Sequence, residues 1–525
     1  MKNKYFAFLF LIIIGSIVFS CDDELEKSNP NGVTTDDYYS NADELERGVN
    51  STYAVLQSVT LVAREWFFLH DLRSDDMVPG GGQLEAPRKQ LLIGAHDPSN
   101  YVTGQVFAGF YALIHRANIV ISSDIAGTDE IKVKRIVGEA KFLRAWAYFD
   151  LVTNWGGVPL YDKPVKSALD FKGRATVDEV YTSIISNLTD AIAVLPDKYE
   201  GNDLGRATKG AARMLLARVY MQRGNFTDAQ AQLLEITGPT PVALPSPKGY
   251  NLVDNYNDNY LEETEYNKES VFEVGFKDDN TNFGWGEWNV DPGLGRETTI
   301  HNQEICPTSW GNLIPSPGLL NEFETTNKGF SKTDPRFAYS FYRKGDVIVT
   351  GALTDADLNI EPSVYEGQTI KIGWRKHTIL YKNAAGYYPS GLNDRIMRYA
   401  EVLLMLAECL NENGNQAEAV NTLNLIRKRA SVNMPLYGSA EMNAQFPVTT
   451  KDEVFKAIVH EKRIELAGEE IRNRDILRWR ANGKIPSVIP EPINYFAEKY
   501  KLIPIPQYEI DNNPNIGLEN QNPGY

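Results

Sequence analysis

The stretch Gly138–Leu160, GEAKFLRAWAYFDLVTNWGGVPL, holds four charges, Glu139, Lys141, Arg144 and Asp150. At about 100° per residue they point in different directions round a helix instead of collecting on one polar face. A helix without a wide polar face is buried on several sides. Gly156 and Gly157 supply a cap that tolerates left-handed backbone, and Pro159 forbids continuation, so a central packing helix ends at a fixed turn.

Outward from this element, helical periodicity runs through Val106–Ile121 and Ile131–Val152, and opens the folded part over Tyr38–Gln57 with Leu45, Val49, Tyr53 and Leu56 on one face. In RATKGAARMLLARVYMQRGNFTDAQAQLLEI, Arg206–Ile236, the spacing of Ala217, Gly224 and Ala229 is that of a tetratricopeptide helix pair: small residues where two helices touch, glycine at the turn. The same offsets return at Ala407, Gly414 and Ala419. Such pairs are scaffold first, because each must bury a face against its neighbours.

Between the two copies, residues 238–390 are rich in Pro, Gly, Asn and aromatics, with short strand-like pieces at Val271–Phe276 and Val347–Val349. Trp285, Trp288, Trp310 and Trp374 lie here, with Tyr250, Tyr256, Tyr260 and Phe283. Loops on a rigid scaffold are where binding residues concentrate, so this segment is the candidate ligand surface. A second irregular stretch, REWFFLHDLRSDDMVPGGG (Arg64–Gly82), sets Trp66, Phe67 and Phe68 beside Arg64, Arg73, Asp75 and Asp76, and its Pro79 and three glycines read as a loop. Its aspartates can cap backbone amides while its aromatics join the core, or the group can face a ligand.

At the N-terminus Lys2 and Lys4 precede an apolar run from Phe6 to Phe19, then Ser20-Cys21. Charged start, short apolar core and small residue read as a secretory signal, and a cysteine at the cleavage point reads as the lipidated residue of a lipoprotein; a free cysteine near an ordinary signal site is the alternative. Removing the first 20 of 525 residues leaves 505, and loss of Lys2 and Lys4 takes the formal net charge from −16 to −18. That acidic balance argues against nucleic acid. Cys306 and Cys409, the remaining cysteines, do not make a disulfide framework.

Catalytic and cofactor signatures are missing. His460-Glu461 lacks the second histidine of a zinc-protease helix, Gly284-Trp285-Gly286 lacks the third glycine of a dinucleotide loop, and the run Asp254–Asn259 lacks calcium-loop register. Glu461, Glu465 and Glu469 fall at four-residue spacing, with Arg463 and Arg472 nearby, which reads as ion pairing on one helix. No metal and no cofactor is expected.

The E-A-K-F-L-R-A helix followed by W-G-G-V-P-L resembles the SusD/RagB family, and the resemblance recurs at Ser74-Asp75-Asp76, at IVHEKRIELAGEEIRNRDILRWR (Ile458–Arg480) and at the ending KLIPIPQYEIDNNPNIGLENQNPGY (Lys501–Tyr525). It implies a mainly α fold, a SusD-like α-superhelical scaffold of tetratricopeptide-like pairs with a loop-rich, minor-β ligand region. The expected organisation is a lipoprotein signal peptide over 1–20, an N-terminal helical half over 21–237, the aromatic loop region over 238–390, and a C-terminal helical part with an extended tail over 391–525. The resemblance further implies a non-catalytic lipoprotein of the outer membrane, facing the exterior, that binds a polysaccharide or oligosaccharide and works with a SusC-like TonB-dependent transporter. The acidic Asp22, Asp23 and Glu24 after Cys21 are similar to the tract that directs such lipoproteins outward. Sugar faces pack on aromatic rings, so Trp285, Trp288, Trp310 and, from the other half, Trp66 are the glycan-binding candidates; each could equally be core, while Trp146 and Trp479 on helices are core. A helical scaffold that binds only proteins or peptides is the alternative reading, and an all-α glycosidase a third. If Cys21 carries the lipid, Cys21→Ala leaves the precursor unlipidated and removes the protein from the protease-accessible surface of whole cells; unchanged accessibility would defeat the lipoprotein assignment.

Overall fold

The computed structural model describes residues 39–82, 84–125, 129–278, 293–386, 390–484 and 498–525. Cys21, Trp285 and Trp288 lie outside them. The first half is built from α1 (Ala42–Leu56), α2 (Glu65–Asp71), a short strand β1 (Met77–Pro79), α3 (Ala86–Leu92), α4 (Tyr101–Ser122), α5 (Glu130–Trp155), α6 (Val177–Val194), α7 (Lys209–Gln222) and α8 (Phe226–Thr237). The irregular region carries β2 (Ser270–Val274), α9 (His301–Ile305), β3 (Leu313–Pro315), β4 (Phe341–Arg343), β5 (Ile372–Trp374) and β6 (Asp394–Arg398), together with single helical turns and two tiny hairpins. The last part is α10 (Tyr399–Glu412), α11 (Gln416–Arg427), α12 (Lys451–Glu465) and α13 (Arg472–Ala481), then a tail.

Helix α5 is the hub: α1, α4, α6 and α7 all pack on it. Three of its four central charges are buried, and each finds partners on a different neighbour. Arg144 reaches Asn118 on α4 at 2.6 Å and Asn187 on α6 at 2.6 Å. Glu139 takes Arg206 at 3.0 Å, and Asp150 takes His70 of α2 at 2.9 Å and Arg474 of α13 at 3.0 Å. Lys141 is the outward one, pairing with the exposed Asp190. The scatter of charges therefore marks a helix that is recognised from several sides. The stop is equally local: Gly156 has φ of 75°, and a β-carbon at Gly157 would stand 2.3 Å from the Ala175 carbonyl oxygen.

The pairs α7–α8 and α10–α11 are the two tetratricopeptide-like units, and α8 packs against α10 to stack them. Ala217, Ala229, Ala407 and Ala419 are fully buried at the helix contacts. Gly224 and Gly414 turn the chain with φ of 73° and 87°; a β-carbon at either would meet nothing, so backbone conformation, not space, asks for glycine. Asn413, exposed at the end of α10, donates to the Phe226 carbonyl and to Gln230, so its amide ties one pair to the other.

Strands pair only in twos among the described residues: β1 with β3, β2 with β6, β4 with β5, all antiparallel. Segments read as one loop or one helix differ in two places. Arg64–Gly82 is not a loop but contains α2 and β1. The run Ile458–Arg480 is two helices, broken between Glu465 and Arg472, where Gly468 and Glu470 adopt φ of 69° and 54°; Glu469 is therefore not on the helix of Glu461 and Glu465. Cys306 and Cys409 are free and buried. One cluster of buried apolar side chains extends from Leu45 to Ile505.

Ala407→Leu at the α10 contact forces extra volume into a closed interface and costs ~1–3 kcal/mol. Its melting temperature should fall measurably below wild type, while Lys456→Ala, exposed on α12, should melt like wild type; equal behaviour of the two variants would contradict the packing described.

Candidate ligand-binding face

Trp310 is the one glycan candidate that the described residues hold at the surface, half-buried in the turn after α9. The turn is tightly made: the amides of Ser309 and Gly311 both donate to the Cys306 carbonyl, and Gly311 takes φ of 50°. Asn312 then donates its backbone N–H to the Glu304 carbonyl at 2.8 Å, and its side chain to the Glu304 carboxylate at 2.6 Å. From the first half, Gly80 comes so close that a β-carbon would overlap the Gly311 carbonyl oxygen, and its amide donates to Asn312. Gly80, the first glycine after Pro79, thus serves a close approach that buttresses the Trp310 turn, while a β-carbon at Gly81 or Gly82 would meet nothing. On the far side the exposed Asn359 donates to the Ser309 carbonyl at 2.8 Å, and half-buried Thr308 and Ser309 leave hydroxyls beside the ring's segment.

Gly386 packs on Cys306, Thr308 and Ser309, while Asp278, at the edge of the described residues before Trp285 and Trp288, abuts Gly391. Backbone pairing of Thr299 with Ser390 holds this neighbourhood together. An aromatic on a braced turn, with amide and hydroxyl groups round it, can stack one sugar face and hydrogen-bond its rim.

Trp66 is elsewhere. It is 3 % exposed, its ring lies 5.9 Å from that of Trp146, and its Nε1–H donates to Asp150 at 3.4 Å. It is a core residue that fixes α2 on α5, so it is withdrawn from the binding candidates. The charges beside it are paired within the protein: Arg64 with the buried Glu304, Asp75 with Arg472 and Asp76 with Arg463. Trp374, Tyr256 and Tyr260 are likewise buried. Trp146 and Trp479 are core, as their helical placement suggests. The run Asp254–Asn259 enters a tight helical turn, in which Asn255 donates to Asp258.

Sequence reading did not single out a second concavity, a pocket of about 250 Å³ between α4 and the tail, lined by Tyr111, Tyr161, Phe171 and Asn118 among others. Its Asn118 amide is committed to the carbonyls of Tyr161 and Lys163.

The same half of the chain carries a lattice of buried ion pairs. Arg398 is gripped by Glu469 at 2.6 Å, Glu465 at 2.7 Å and Glu269 at 2.8 Å. Arg429 joins Glu269 and Glu465, Arg336 joins Asp334, Glu461 and Glu465, and Arg427 joins Glu324 and Glu461. The glutamates are indeed paired, but with arginines from the irregular region and α11; Arg463 and Arg472 instead hold Asp75 and Asp76. His460 closes the edge between Glu322 and Glu324. Burial alone would lower its pKa, yet the two carboxylates override that and raise it to about 9.

Stacked helical pairs that carry a long irregular region between them define the class. The SusD family model matches residues 268–525, and the model described as "Starch-binding associating with outer membrane" matches residues 83–221. The chain belongs to the SusD family. It is 27% identical over 543 residues to the SusD-like protein P2 of Formosa agariphila, across 99% of this chain and 100% of that one. Among solved structures, a laminarin-binding SusD-like protein aligns with a TM-score of 0.74 at 27% identity, covering 93% of this chain and 100% of that chain. Surface glycan-binding protein A from Bacteroides fluxus aligns with a TM-score of 0.72 at 25% identity, covering 92% and 99%.

Because the folded-state pKa of His460 stands above its ordinary 6.5, its contribution is fully present below pH 6.5 and is lost as pH rises through about 9. That contribution is on the order of 3 kcal/mol. Wild type should therefore lose stability over that window relative to His460→Gln, and parallel stability–pH curves from urea unfolding would refute the assignment.

Proposed function

We propose that this chain is a non-catalytic, cell-surface glycan-binding lipoprotein that captures an oligosaccharide and passes it to a SusC-like TonB-dependent transporter in a polysaccharide utilisation system. The observation that carries the reading is near full-length likeness, in sequence and fold, to a laminarin-binding SusD-like protein. Trp310 is the stacking residue of the described face, and Trp285 and Trp288 are its proposed companions. The non-catalytic reading draws on the carboxylates: Glu461, Glu465 and Glu469 are saturated by arginine and lysine, and a glycosidase needs two carboxyls facing an open cleft. Attachment is through lipidated Cys21, which fits the fact that no helix among the described residues is long and apolar enough to cross a membrane.

A sugar face that removes ~40 Å² of apolar surface contributes about 1 kcal/mol. A few such contacts, offset by ordering, give affinities on the order of millimolar to micromolar, and repeated sites along a polymer add avidity. Laminarin and a panel of other polysaccharides are the probes. Retarded migration in affinity gels without new reducing ends is expected, and reducing-end release would overturn the non-catalytic claim. In titration calorimetry with the oligosaccharide so identified, Trp310→Ala, first shown to melt like wild type, should weaken binding about five-fold or more, the equivalent of one stacking contact. Unchanged affinity would move the site off this face. Co-purification of a TonB-dependent barrel from solubilised outer membranes tests the partnership.

A further inference from the structure

Just inside the α9 turn, buried imidazoles and carboxylates meet. His301, His377 and Glu470 each offer a ligand atom, all within 4.8 Å of one another. They come from three separate places: the start of α9, the turn after β5, and the break between α12 and α13. Two of the three sit in left-handed backbone, His377 at φ 60° and Glu470 at φ 54°, a conformation that costs about 1–3 kcal/mol at a residue bearing a β-carbon and persists only where the surroundings enforce it.

The hydrogen bonds leave carboxylate oxygens here without donors. His377 Nε2 lies 2.9 Å from the Gly468 carbonyl oxygen. A carbonyl only accepts, so Nε2 carries a proton. The same ring's Nδ1 lies 3.2 Å from Asp394 Oδ1, and His301 Nδ1 lies 3.4 Å from the same oxygen. Around this point Asp394 Oδ2, Asp71 Oδ2 and Glu470 Oε1 are buried with no hydrogen-bond partner, in side chains that leave less than a tenth of their residue exposed. Lys376, the neighbouring cation, is spent on Glu469 and on the carbonyls of Glu465 and Ala467.

We infer that His301, His377 and Glu470 bind one divalent transition-metal ion of the zinc type, with Asp394 and Asp71 as the adjoining oxygen donors. Two imidazoles and a carboxylate suit zinc and its neighbours, whereas calcium and magnesium prefer all-oxygen shells. The His377 Nε2–Gly468 bond is the outer contact that commonly orients a ligating imidazole. The three residues are buried, and Phe67 stacks on His301 with ring centroids 3.9 Å apart, which makes the role structural: the ion pins the turn that carries Trp310 to α2 and to the α12–α13 break.

The test uses the full chain purified without chelator. One zinc, or a comparable first-row metal, per chain is expected by mass spectrometry of the metal content. Stripping with dipicolinate should lower the melting temperature by several degrees, and one equivalent of zinc should restore it. Glu470→Gln, which keeps the volume and removes the charge, should abolish that response, while His115→Gln, a half-exposed histidine away from the cluster, should keep it. If Glu470→Gln fails to fold, cobalt(II) titration of the stripped wild type is decisive: an imidazole-coordinated d–d spectrum saturating at one equivalent supports the site. Protein that holds no metal and whose melting temperature ignores zinc, manganese and cobalt would overturn it, leaving protons as the charge that occupies the cluster. A zinc response kept in Glu470→Gln but lost in His115→Gln would also overturn it.

Discussion

The grip of Glu269, Glu465 and Glu469 on the single guanidinium of Arg398 is the contact on which the irregular half of the molecule depends. Among the described residues strands pair only in twos, and the one apolar cluster confined to the irregular region, from Cys306 to Leu380, is small, so residues 238–390 take much of their orientation from elsewhere. Buried ion pairs supply it. Desolvating such groups offsets much of their attraction, and apolar substitutes often do as well for stability. What apolar side chains cannot supply is direction: a planar fork that must meet carboxylates from β2's leading end, from α12 and from the break beyond it accepts one arrangement only. Arg336, Arg427 and Arg429 repeat the device, so α12 serves as a strip of carboxylates to which the surrounding segments are keyed.

This also explains what the sequence makes legible and what it hides. Helices α4, α5, α7, α8, α10 and α11 announce themselves because periodicity, small contact residues and turn glycines are local properties. Helix α2 does not: every residue of Glu65–Asp71 is buried, so it has no polar face and no period to detect. The break after Glu465 had a readable sign in Ala467-Gly468, glycine at a helix end, but the four-residue spacing of the glutamates masked it. Trp66 misled because charge near an aromatic looks the same in sequence whether the charge is solvated or paired. Trp310 could be placed on a loop but not oriented, since what holds it is Gly80 from the other end of the chain. The meeting of His301, His377 and Glu470 has no spacing signature, as each is delivered by a different turn.

The tail has a consequence for how the molecule is assembled. Ile503 donates its amide to the Asn154 carbonyl, Asn522 caps the Trp155 carbonyl and takes Arg174 on its own amide oxygen, and Tyr525 reaches His96. Residues 503–525 therefore roof the end of the hub helix, to which they return across several hundred residues of chain. Contacts so distant along the chain are slow to close and cannot reward the early helices while they wait. Until residues 503–525 are in place, the carbonyls of Asn154 and Trp155 at the end of the hub helix lack these partners. Loss of residues 503–525 would take away every one of these contacts at once and uncover the end of the hub helix.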